Sequence, residues 1–195
     1  MYLENIDFLL ASKSPRRVQL LTEAGYKFSQ VDICVDESKI RDEAPLDYVA
    51  RMAYLKSHEG FVKAGGRIPC LGADTVVVKD REIFGKPHDF DDCRRILRIL
   101  SGTNHEVITA VCIVTAEDCI QEQVVSRVVF REITDGEIEE YWNTGEPRDK
   151  AGAYAIQGIG AKFVSSLEGS LSNVIGLPME KVRDMLQSVS VSAGL

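Results

Sequence analysis

Histidine is scarce in this chain, which contains three histidines and one tryptophan among 195 residues. Metal chemistry based on histidine ligands, or a Ser-His-Asp triad, therefore has few residues to use. Neither a GxxxxGKS/T sequence nor a GxSxG sequence occurs, which excludes a standard P-loop and a nucleophile elbow. Gly158-Ile-Gly160 begins like a dinucleotide-binding motif, but Phe163 stands in place of its third glycine. Any catalysis is expected to use carboxylates and a metal.

Long apolar runs are also missing, and no apolar stretch approaches the roughly 20 residues that span a bilayer. The first residues include Glu4 and Asp7, where a secretory signal needs positive charge. Five cysteines without a CxxC pair indicate reduced, mostly packed thiols rather than a disulfide framework or a zinc site. These absences predict a cytoplasmic protein with no membrane partner.

Basic residues are fewer than acidic ones, with 23 Lys and Arg against 30 Asp and Glu, and the formal net charge is −7. Proteins that coat a nucleic-acid polymer or an anionic membrane have a basic balance, so neither partner is expected. A local basic cluster could still bind one small anion. No repeat or long linker divides the chain, and residues 1–195 are expected to form a single domain.

The order of apolar patterns, caps and turns predicts an α/β fold with a mixed β-sheet and flanking helices, because strands and helices do not alternate strictly. The expected strands span residues 8–11, 26–35, 70–79, 105–115, 121–130 and 163–167. The expected helices span residues 15–24, 45–64, 89–100 and 134–143, and a last one begins at residue 178. Thr134 and Glu137 are spaced as a capping box.

The sequence LASKSPRR, residues 10–17, is the first candidate for chemistry. A strand here delivers Ser12 and Ser14 to a helix N-terminus, where backbone N–H groups and the helix dipole favour an anion. Arg16 and Arg17 fall in the first helical turn, where the dipole disfavours unpaired cations. Either a bound polyphosphate or pairing with surface acids would resolve this conflict, and both interpretations remain open.

Asp74, in GADTVVV, is expected within or just after an apolar strand, where a carboxylate is unfavourable unless it binds a metal, a donor or water. Thr75 adds a hydroxyl beside it. Asp36 and Glu37 form an acidic pair that could join Asp74 in holding Mg²⁺ through oxygen ligands. A solvent-facing aspartate and an ordinary acidic loop are the alternative interpretations.

Two lysines and a glycine-rich segment complete the candidates. Lys56 on a helix and Lys86 in a GKP turn could bind an anion or could simply be solvated. In residues 145–160, small residues allow a ligand to approach the backbone closely. The Gln157 amide has donors and an acceptor that can hydrogen-bond the edge of a nucleobase. The alternative interpretation of this segment is an ordinary connecting loop. Three bulky side chains are assigned to packing: His105, Trp142 and Tyr154.

Together these segments resemble the Maf family of nucleotide pyrophosphatases. The similarity runs through nearly the whole chain, in the family's order: LASKSPRR, VDE, RMAYLK, GADTVV, FGKP, LSGTNHEVITAV, EYWNTGEPRDKAGAYAIQG and LEGSLSNVIGLP. The resemblance implies hydrolysis of a nucleoside triphosphate between its α and β phosphates, with Mg²⁺, Mn²⁺ or Co²⁺ as the divalent cation. It implies a fold like that of the inosine triphosphatases, with two lobes around a cleft, a homodimer, and a house-cleaning or cell-division-linked role.

The resemblance also assigns residues. Asp74 matches the base that activates water, and Glu37 matches the acid that holds the metal with Asp74. The positions that cradle the triphosphate are Ser12, Arg17, Lys56 and Lys86. The positions that match the branch acting on dTTP and UTP, rather than the branch acting on 7-methyl-GTP, are Arg16, Thr75 and Gln157.

Some residues depart from the family pattern. Ser57 replaces the alanine that commonly follows the lysine, and Leu171 stands where tyrosine is usual. These departures bear on fine specificity rather than on activity. Two alternatives stay open: a preference for modified pyrimidine triphosphates, and a nucleotide-binding regulatory or septum-associated protein with little turnover.

Overall fold

The computed structural model describes residues 6–191. Seven strands form one sheet: β1 (Phe8–Ala11), β2 (Phe28–Gln30), β3 (Cys70–Lys79), β4 (Glu82–Phe84), β5 (Asn104–Val114), β6 (Cys119–Phe130) and β7 (Val164–Glu168). The α-helices are α1 (Pro15–Glu23), α2 (Pro45–Lys63), α3 (Phe90–Leu100), α4 (Asp135–Asn143), α5 (Leu171–Ile175) and α6 (Met179–Ser188). Short 3-10 turns occupy Glu146–Asp149, Ala151–Ala153 and Ile159–Phe163.

The sheet is mixed, as the sequence predicts. Its strand order is β2-β1-β3-β5-β6-β7, and β4 pairs with β3. Strand β1 runs parallel to β2 and β3, whereas the pairs β3–β4, β3–β5, β5–β6 and β6–β7 are antiparallel. The parallel part is the strand–helix–strand unit at the N-terminus, and the antiparallel part consists of hairpins and longer connections.

One edge of β3 is interrupted. Ala11 at the end of β1 pairs with Gly72, and the next contact on this side joins Val77 to Phe84 of β4. Residues 73–76 therefore have no strand partner on this side among residues 6–191. The gap opens the sheet where Asp74 and Thr75 lie, while β5 covers the other edge throughout.

The hydrophobic core lies on both faces of the sheet. Helix α2 packs through Val49, Met52 and Ala53 against one face of β3 and β5. The opposite face is covered by two separate clusters. One joins α1 and α6 to the β1 side of the sheet, and the other joins α3 and α4 to the β6 side.

Several local predictions are confirmed. Helix α1 begins at Pro15 after Ser14 in the N-cap position, and the capping box of Thr134 and Glu137 opens α4. Strand β2 is shorter than predicted, because β1 is four residues long and only Phe28–Gln30 pair with it. The short helix α5, which ends at Gly176 with φ of 130°, was not predicted.

Three of the five cysteines are packed in the interior, in agreement with the prediction of mostly packed thiols. Cys70, Cys93 and Cys112 are buried, whereas Cys34 and Cys119 are exposed, and all five are free. Within residues 6–191, no helix combines the length and the apolar character needed to cross a bilayer.

Gly72 allows α2 to approach β3 closely. A Cβ atom at this position would collide with the backbone nitrogen of Ser57 and lie 2.6 Å from the carbonyl oxygen of Ala53. We expect Gly72→Ala to lower the free energy of unfolding by about 3 kcal/mol, because backbone atoms cannot move aside as a flexible side chain can. Urea unfolding monitored by circular dichroism measures this change.

Gly136→Ala is the matched control. Gly136 lies in the first turn of α4, and a Cβ atom there would meet nothing within 4 Å. This substitution should leave stability unchanged or raise it by up to about 1 kcal/mol, because alanine favours helix. Equal unfolding midpoints for Gly72→Ala and wild type would contradict the close packing.

Candidate functional site

A cleft of about 1120 Å³ opens at the interrupted edge of β3. Its walls are the β1–α1 turn, residues 37–39, β4 with the turn after it, the end of α5, and residues 146–163, which contain the three 3-10 turns and are called the 3-10 segment. It is lined by all the residues to which the family resemblance assigns a role: Ser12, Arg16, Arg17, Glu37, Lys56, Asp74, Thr75, Lys86 and Gln157. Asp36, the other member of the acidic pair, does not line it. The structure thus brings together residues that are up to 145 positions apart in the chain.

The cleft is positively charged although the chain is acidic. Nine Lys and Arg residues line it against four Asp and Glu residues, whereas the whole chain has a net charge of −7. Such a concentration of cations in a concave, partly enclosed site favours an anionic ligand and raises the rate of its encounter. The arrangement suits a small polyanion rather than a neutral ligand.

Lys56 joins two carboxylates. Its Nζ atom is 2.7 Å from Oε1 of Glu37 and 2.7 Å from Oδ1 of Asp74. The Lys56 and Asp74 side chains are 11% and 13% exposed, whereas that of Glu37 is 60% exposed. Asp74 lies on the face of β3 that α2 covers, since Val76 and Val78 point the same way into the α2 cluster. The partly buried Asp74 is thereby paired, in agreement with the expectation that this carboxylate binds a metal, a donor or water.

Arg17 is buried and donates most of its hydrogen bonds to neutral acceptors of the protein. Its Nη1 donates to the Ser12 hydroxyl (3.2 Å) and to the Ala73 carbonyl (2.9 Å). Its Nε donates to the Gly176 carbonyl (2.8 Å) and its Nη2 to the Thr75 hydroxyl (3.0 Å). Four of its five N–H groups therefore have acceptors in the protein, and one on Nη2 remains for a ligand.

Burial and nearby carboxylates have opposite effects on the pKa of Arg17. Burial lowers the pKa of Arg17, and the nearby charges of Asp74 and Glu37 act in the opposite direction. An arginine remains protonated in proteins, so the cleft contains a buried cation next to Ser12. Such a cation is unfavourable without anions close by.

Thr75 acts within a chain of hydroxyls below the cleft. The Thr109 hydroxyl donates to the carbonyl of Asn173 (3.0 Å), so in its 2.9 Å contact with Thr75 it accepts. Thr75 in turn accepts from Arg17. Thr75 thus positions the guanidinium. Thr109 and Asn173 were not predicted as parts of the site, because only the folded chain brings α5 onto β5.

Arg16 and Gln157 lie on opposite walls. Arg16 is half-buried in the first turn of α1, and Gln157 is exposed in the 3-10 segment. Burial opposes ionisation of Asp149, but the Lys150 ammonium and the Arg16 guanidinium leave the pKa of that carboxyl below its usual value. Lys86 is exposed in the turn after β4.

Tyr48 was missed by the sequence analysis. Its hydroxyl donates to the backbone carbonyl of Glu37 (3.0 Å), which fixes the loop that carries this carboxylate. Burial and the Asp74 charge raise the pKa of Tyr48 to about 12, so it stays a hydrogen-bond donor. Tyr48, Met52 and Lys56 are spaced four residues apart, and this spacing places Tyr48 on the same helix face as Lys56.

Glu146 holds the 3-10 segment in place. Its carboxylate accepts from the Tyr141 hydroxyl (2.7 Å) and from the backbone N–H groups of Ile159 and Gly160 (both 2.9 Å). The segment that carries Gln157 is therefore anchored at both ends. Glu146 was not predicted as part of the site, since two of its three partners are backbone N–H groups that only the folded chain brings close.

The two carboxylates can contribute to a divalent-cation site. Within residues 6–191 there is no cluster of three or more His, Cys, Asp or Glu side chains suited to a metal. Glu37 and Asp74 nevertheless converge on one point, the Lys56 ammonium. Mg²⁺ is commonly held by one or two carboxylates plus substrate phosphates and water. The donor set therefore fits a cation that arrives with a phosphorylated ligand.

Comparison with known proteins points to one family. The family model described as "Maf-like protein" matches residues 7–189. The chain is 46% identical over 187 residues to the dTTP/UTP pyrophosphatase of Pseudoalteromonas atlantica, with 94% of this chain and 97% of that protein covered. It is 49% identical over 173 residues to the dTTP/UTP pyrophosphatase of Hahella chejuensis, with 88% and 86% covered.

A solved structure shares the fold. The Staphylococcus aureus Ham1 protein aligns with a TM-score of 0.52 and 11% sequence identity, over 93% of this chain and 98% of that chain. This likeness agrees with the predicted architecture, in which a mixed sheet and flanking helices surround a cleft.

His105 is expected to make stability depend on pH. It is buried, its Nε2 lies 2.9 Å from the Tyr154 hydroxyl, and its ring packs edge-on to Phe130, as its assignment to packing predicts. Burial, followed by the Lys79 charge, lowers the pKa of His105 to about 4. The unfolded chain takes up this proton near pH 6.5, so stability is complete above that pH and declines as the pH falls toward 4. We expect the protonation of His105 in the unfolded chain to lower the free energy of unfolding by about 2 kcal/mol at pH 5.

Urea unfolding at pH 7.5 and pH 5 measures this loss. The variant His105→Gln lacks the titration, so wild type should lose about 2 kcal/mol relative to it between the two pH values. His58→Gln, at an exposed position of α2, is the control and should follow wild type. The same pH dependence in wild type and His105→Gln would contradict the effect of burial.

Proposed function

Because the chain belongs to the Maf-like protein family, we propose that it hydrolyses dTTP and UTP to the nucleoside monophosphate and pyrophosphate. The observation that carries the proposal is the cationic cleft in which Lys56 bridges Asp74 and Glu37. The relatives at 46% and 49% identity, named for this activity, support the same reaction and the same substrates. Modified pyrimidine triphosphates are included in the proposed substrate class.

The triphosphate is proposed to bind among Ser12, Arg17, Lys56 and Lys86. Ser12 lies where β1 meets the N-terminus of α1, a place where backbone N–H groups favour phosphate. Lys56 and Lys86 supply charges from different walls of the cleft. Arg17 contributes its buried charge and one N–H group, since its other donors are engaged with the protein.

Asp74 is proposed to activate the attacking water. Its Oδ1 accepts from Lys56, and within residues 6–191 no hydrogen-bond donor contacts Oδ2. Oδ2 can therefore accept a proton from a water molecule as that water attacks phosphorus. Phosphoanhydride hydrolysis needs chiefly a positioned water and neutralised charge, which one carboxylate and several cations can supply.

We propose Glu37 and Asp74 as the residues that hold a divalent cation, with Mg²⁺, Mn²⁺ or Co²⁺ as candidates. When bound, such an ion supplies charge neutralisation for the phosphate oxygens. Tyr48 supports this role from the protein side, because it holds the backbone of Glu37 in place while the carboxylate stays exposed.

Arg16, Thr75 and Gln157 are proposed to select the substrate. The Gln157 amide offers a donor and an acceptor from an exposed position, as reading a pyrimidine edge requires. Thr75 acts through Arg17, whose guanidinium it positions. Arg16 lies on the opposite wall, near Asp149.

The wider setting is also proposed: a single domain, a cytoplasmic homodimer, and a house-cleaning or cell-division-linked role. The alternative is a nucleotide-binding regulatory or septum-associated protein with little turnover. The pairing of the partly buried Asp74 with Lys56 favours the enzyme, because binding alone does not require a carboxylate beside the phosphate-binding cations. Turnover measurements separate the two.

Asp74→Asn is expected to lower kcat at least about 100-fold while the chain stays folded, because an amide cannot accept the proton of water. Pyrophosphate release from a panel of nucleoside triphosphates, with Mg²⁺, Mn²⁺ or Co²⁺, measures the effect. Asp36→Asn is the control, since Asp36 is exposed in the same acidic loop as Glu37 and bonds to Ser38 rather than lining the cleft.

The outcomes of this panel are distinct. Pyrophosphate from dTTP and UTP in wild type and Asp36→Asn, but not in Asp74→Asn, supports the proposal. A wild-type rate in Asp74→Asn rejects the role of this carboxylate. Release of orthophosphate means that a different bond is cut, and nucleotide binding without any product favours the regulatory alternative.

Gln157→Glu is expected to reduce kcat/KM for dTTP and UTP at least about tenfold relative to purine triphosphates, because a carboxylate lacks the donors of an amide. Competition between paired substrates measures the ratio directly. Gln187→Glu, at an exposed position of α6 outside the cleft, carries the same charge change and should leave the ratio unchanged. An unchanged ratio in Gln157→Glu excludes base reading by this residue.

A further inference from the structure

Two cysteines on neighbouring strands have their sulfur atoms in contact. Cys112 lies in β5, Cys119 begins β6, and the two Sγ atoms are 3.4 Å apart. The register pairs Cys112 with Gln121 and Val114 with Cys119, so the cysteines are diagonal neighbours. Both lie on the sheet face that α2 covers, since the Gln121 side chain donates to a carbonyl of that helix. Neither cysteine lines the cleft.

The two thiols differ in their access to solvent. Cys119 is exposed, whereas Cys112 is completely buried against α2. Burial, followed by the contact with Cys119, raises the pKa of Cys112 and keeps it protonated. A dissolved oxidant therefore reaches Cys119 first, and the Cys112 thiol is the nearest group that can react with the oxidised sulfur.

We propose that Cys112 and Cys119 form a reversible thiol redox site that hydrogen peroxide converts into an intramolecular disulfide. In the first step the peroxide transfers one oxygen to the Cys119 sulfur, giving a sulfenic acid and water. In the second step the Cys112 thiol gives up its proton as its sulfur attacks that of Cys119, the S–S bond forms, and the oxygen leaves with that proton as a second water molecule. Two thiols lose two electrons in total, and the peroxide is reduced. A dithiol reductant reverses the change.

The position of the pair allows the bond to form. The sulfur atoms must approach by about 1.4 Å to reach disulfide length. Residues 115–118 form the turn that joins β5 to β6, where Thr115 and Asp118 exchange hydrogen bonds. Cys119 is exposed, follows this turn directly and is the first residue of β6, so the approach can come from the end of the strand.

Peptide mapping of the full-length protein tests the proposal. The reduced protein is treated with hydrogen peroxide, quenched, alkylated under denaturing conditions and digested without reductant by a protease that cleaves after glutamate. Cleavage after Glu106, Glu117 and Glu122 separates the two cysteines into residues 107–117 and 118–122. We expect these peptides to remain linked, the intact mass to fall by about 2 Da, and dithiothreitol to separate them.

Two variants sharpen the test. Cys119→Ser should leave Cys112 fully alkylated after peroxide, whereas Cys34→Ser, which removes the other exposed cysteine, should still form the link. Oxygen addition at Cys119 with an intact Cys112 thiol overturns the proposal, as does linkage of Cys119 to Cys34 or to a second copy. The readout is the state of the thiols, so it does not depend on nucleotide hydrolysis.

Discussion

The guanidinium of Arg17 lies at the junction of three distant parts of the chain. It donates to the carbonyls of Ala73 in β3 and Gly176 after α5, and to the hydroxyl of Ser12 after β1. Within residues 6–191 no carboxylate forms an ion pair with it, so its charge is balanced only at longer range by Asp74 and Glu37. Such a buried cation is unfavourable unless anions approach. The residue that closes the fold around the cleft is therefore also one whose charge a phosphate would complement.

The distribution of charge over the molecule also favours a phosphate in the cleft. The surface as a whole is acidic, but the cleft concentrates cations on its walls. Glu37 and Asp74 both contact Lys56, so an incoming triphosphate competes with two carboxylates for one ammonium. Most of the other lining cations are exposed and screened by salt, whereas the Lys56–Asp74 pair is shielded. Ionic strength should thus affect encounter more than the chemistry at Asp74.

The sequence was sufficient to predict what depends on short segments. The β1–α1 junction, the capping box at Thr134 and the mixed sheet follow from local spacing, and the residues of LASKSPRR and GADTVVV do line one cleft. The hydrogen-bond partners could not be predicted. The Thr109 hydroxyl donates to the carbonyl of Asn173, which is 64 residues away in the sequence. Glu146 accepts from backbone N–H groups that only the 3-10 turns bring close. Strand β2 was overestimated because strand length depends on the neighbouring strand as well as on apolar pattern.

The short distance between α2 and β3 links stability to the site. Because Gly72 has no Cβ, the backbone of Ser57 can approach the strand, and its hydroxyl donates to the carbonyl of Cys70 (2.5 Å) and accepts from Val114 N–H (3.1 Å). Lys56 immediately precedes Ser57, and Asp74 lies two residues after Gly72. The contact that stabilises the helix on the sheet therefore also sets the distance between the ammonium and the carboxylate. Ser57, which replaces the alanine common in the family, adds two buried hydrogen bonds at this point, directly after Lys56.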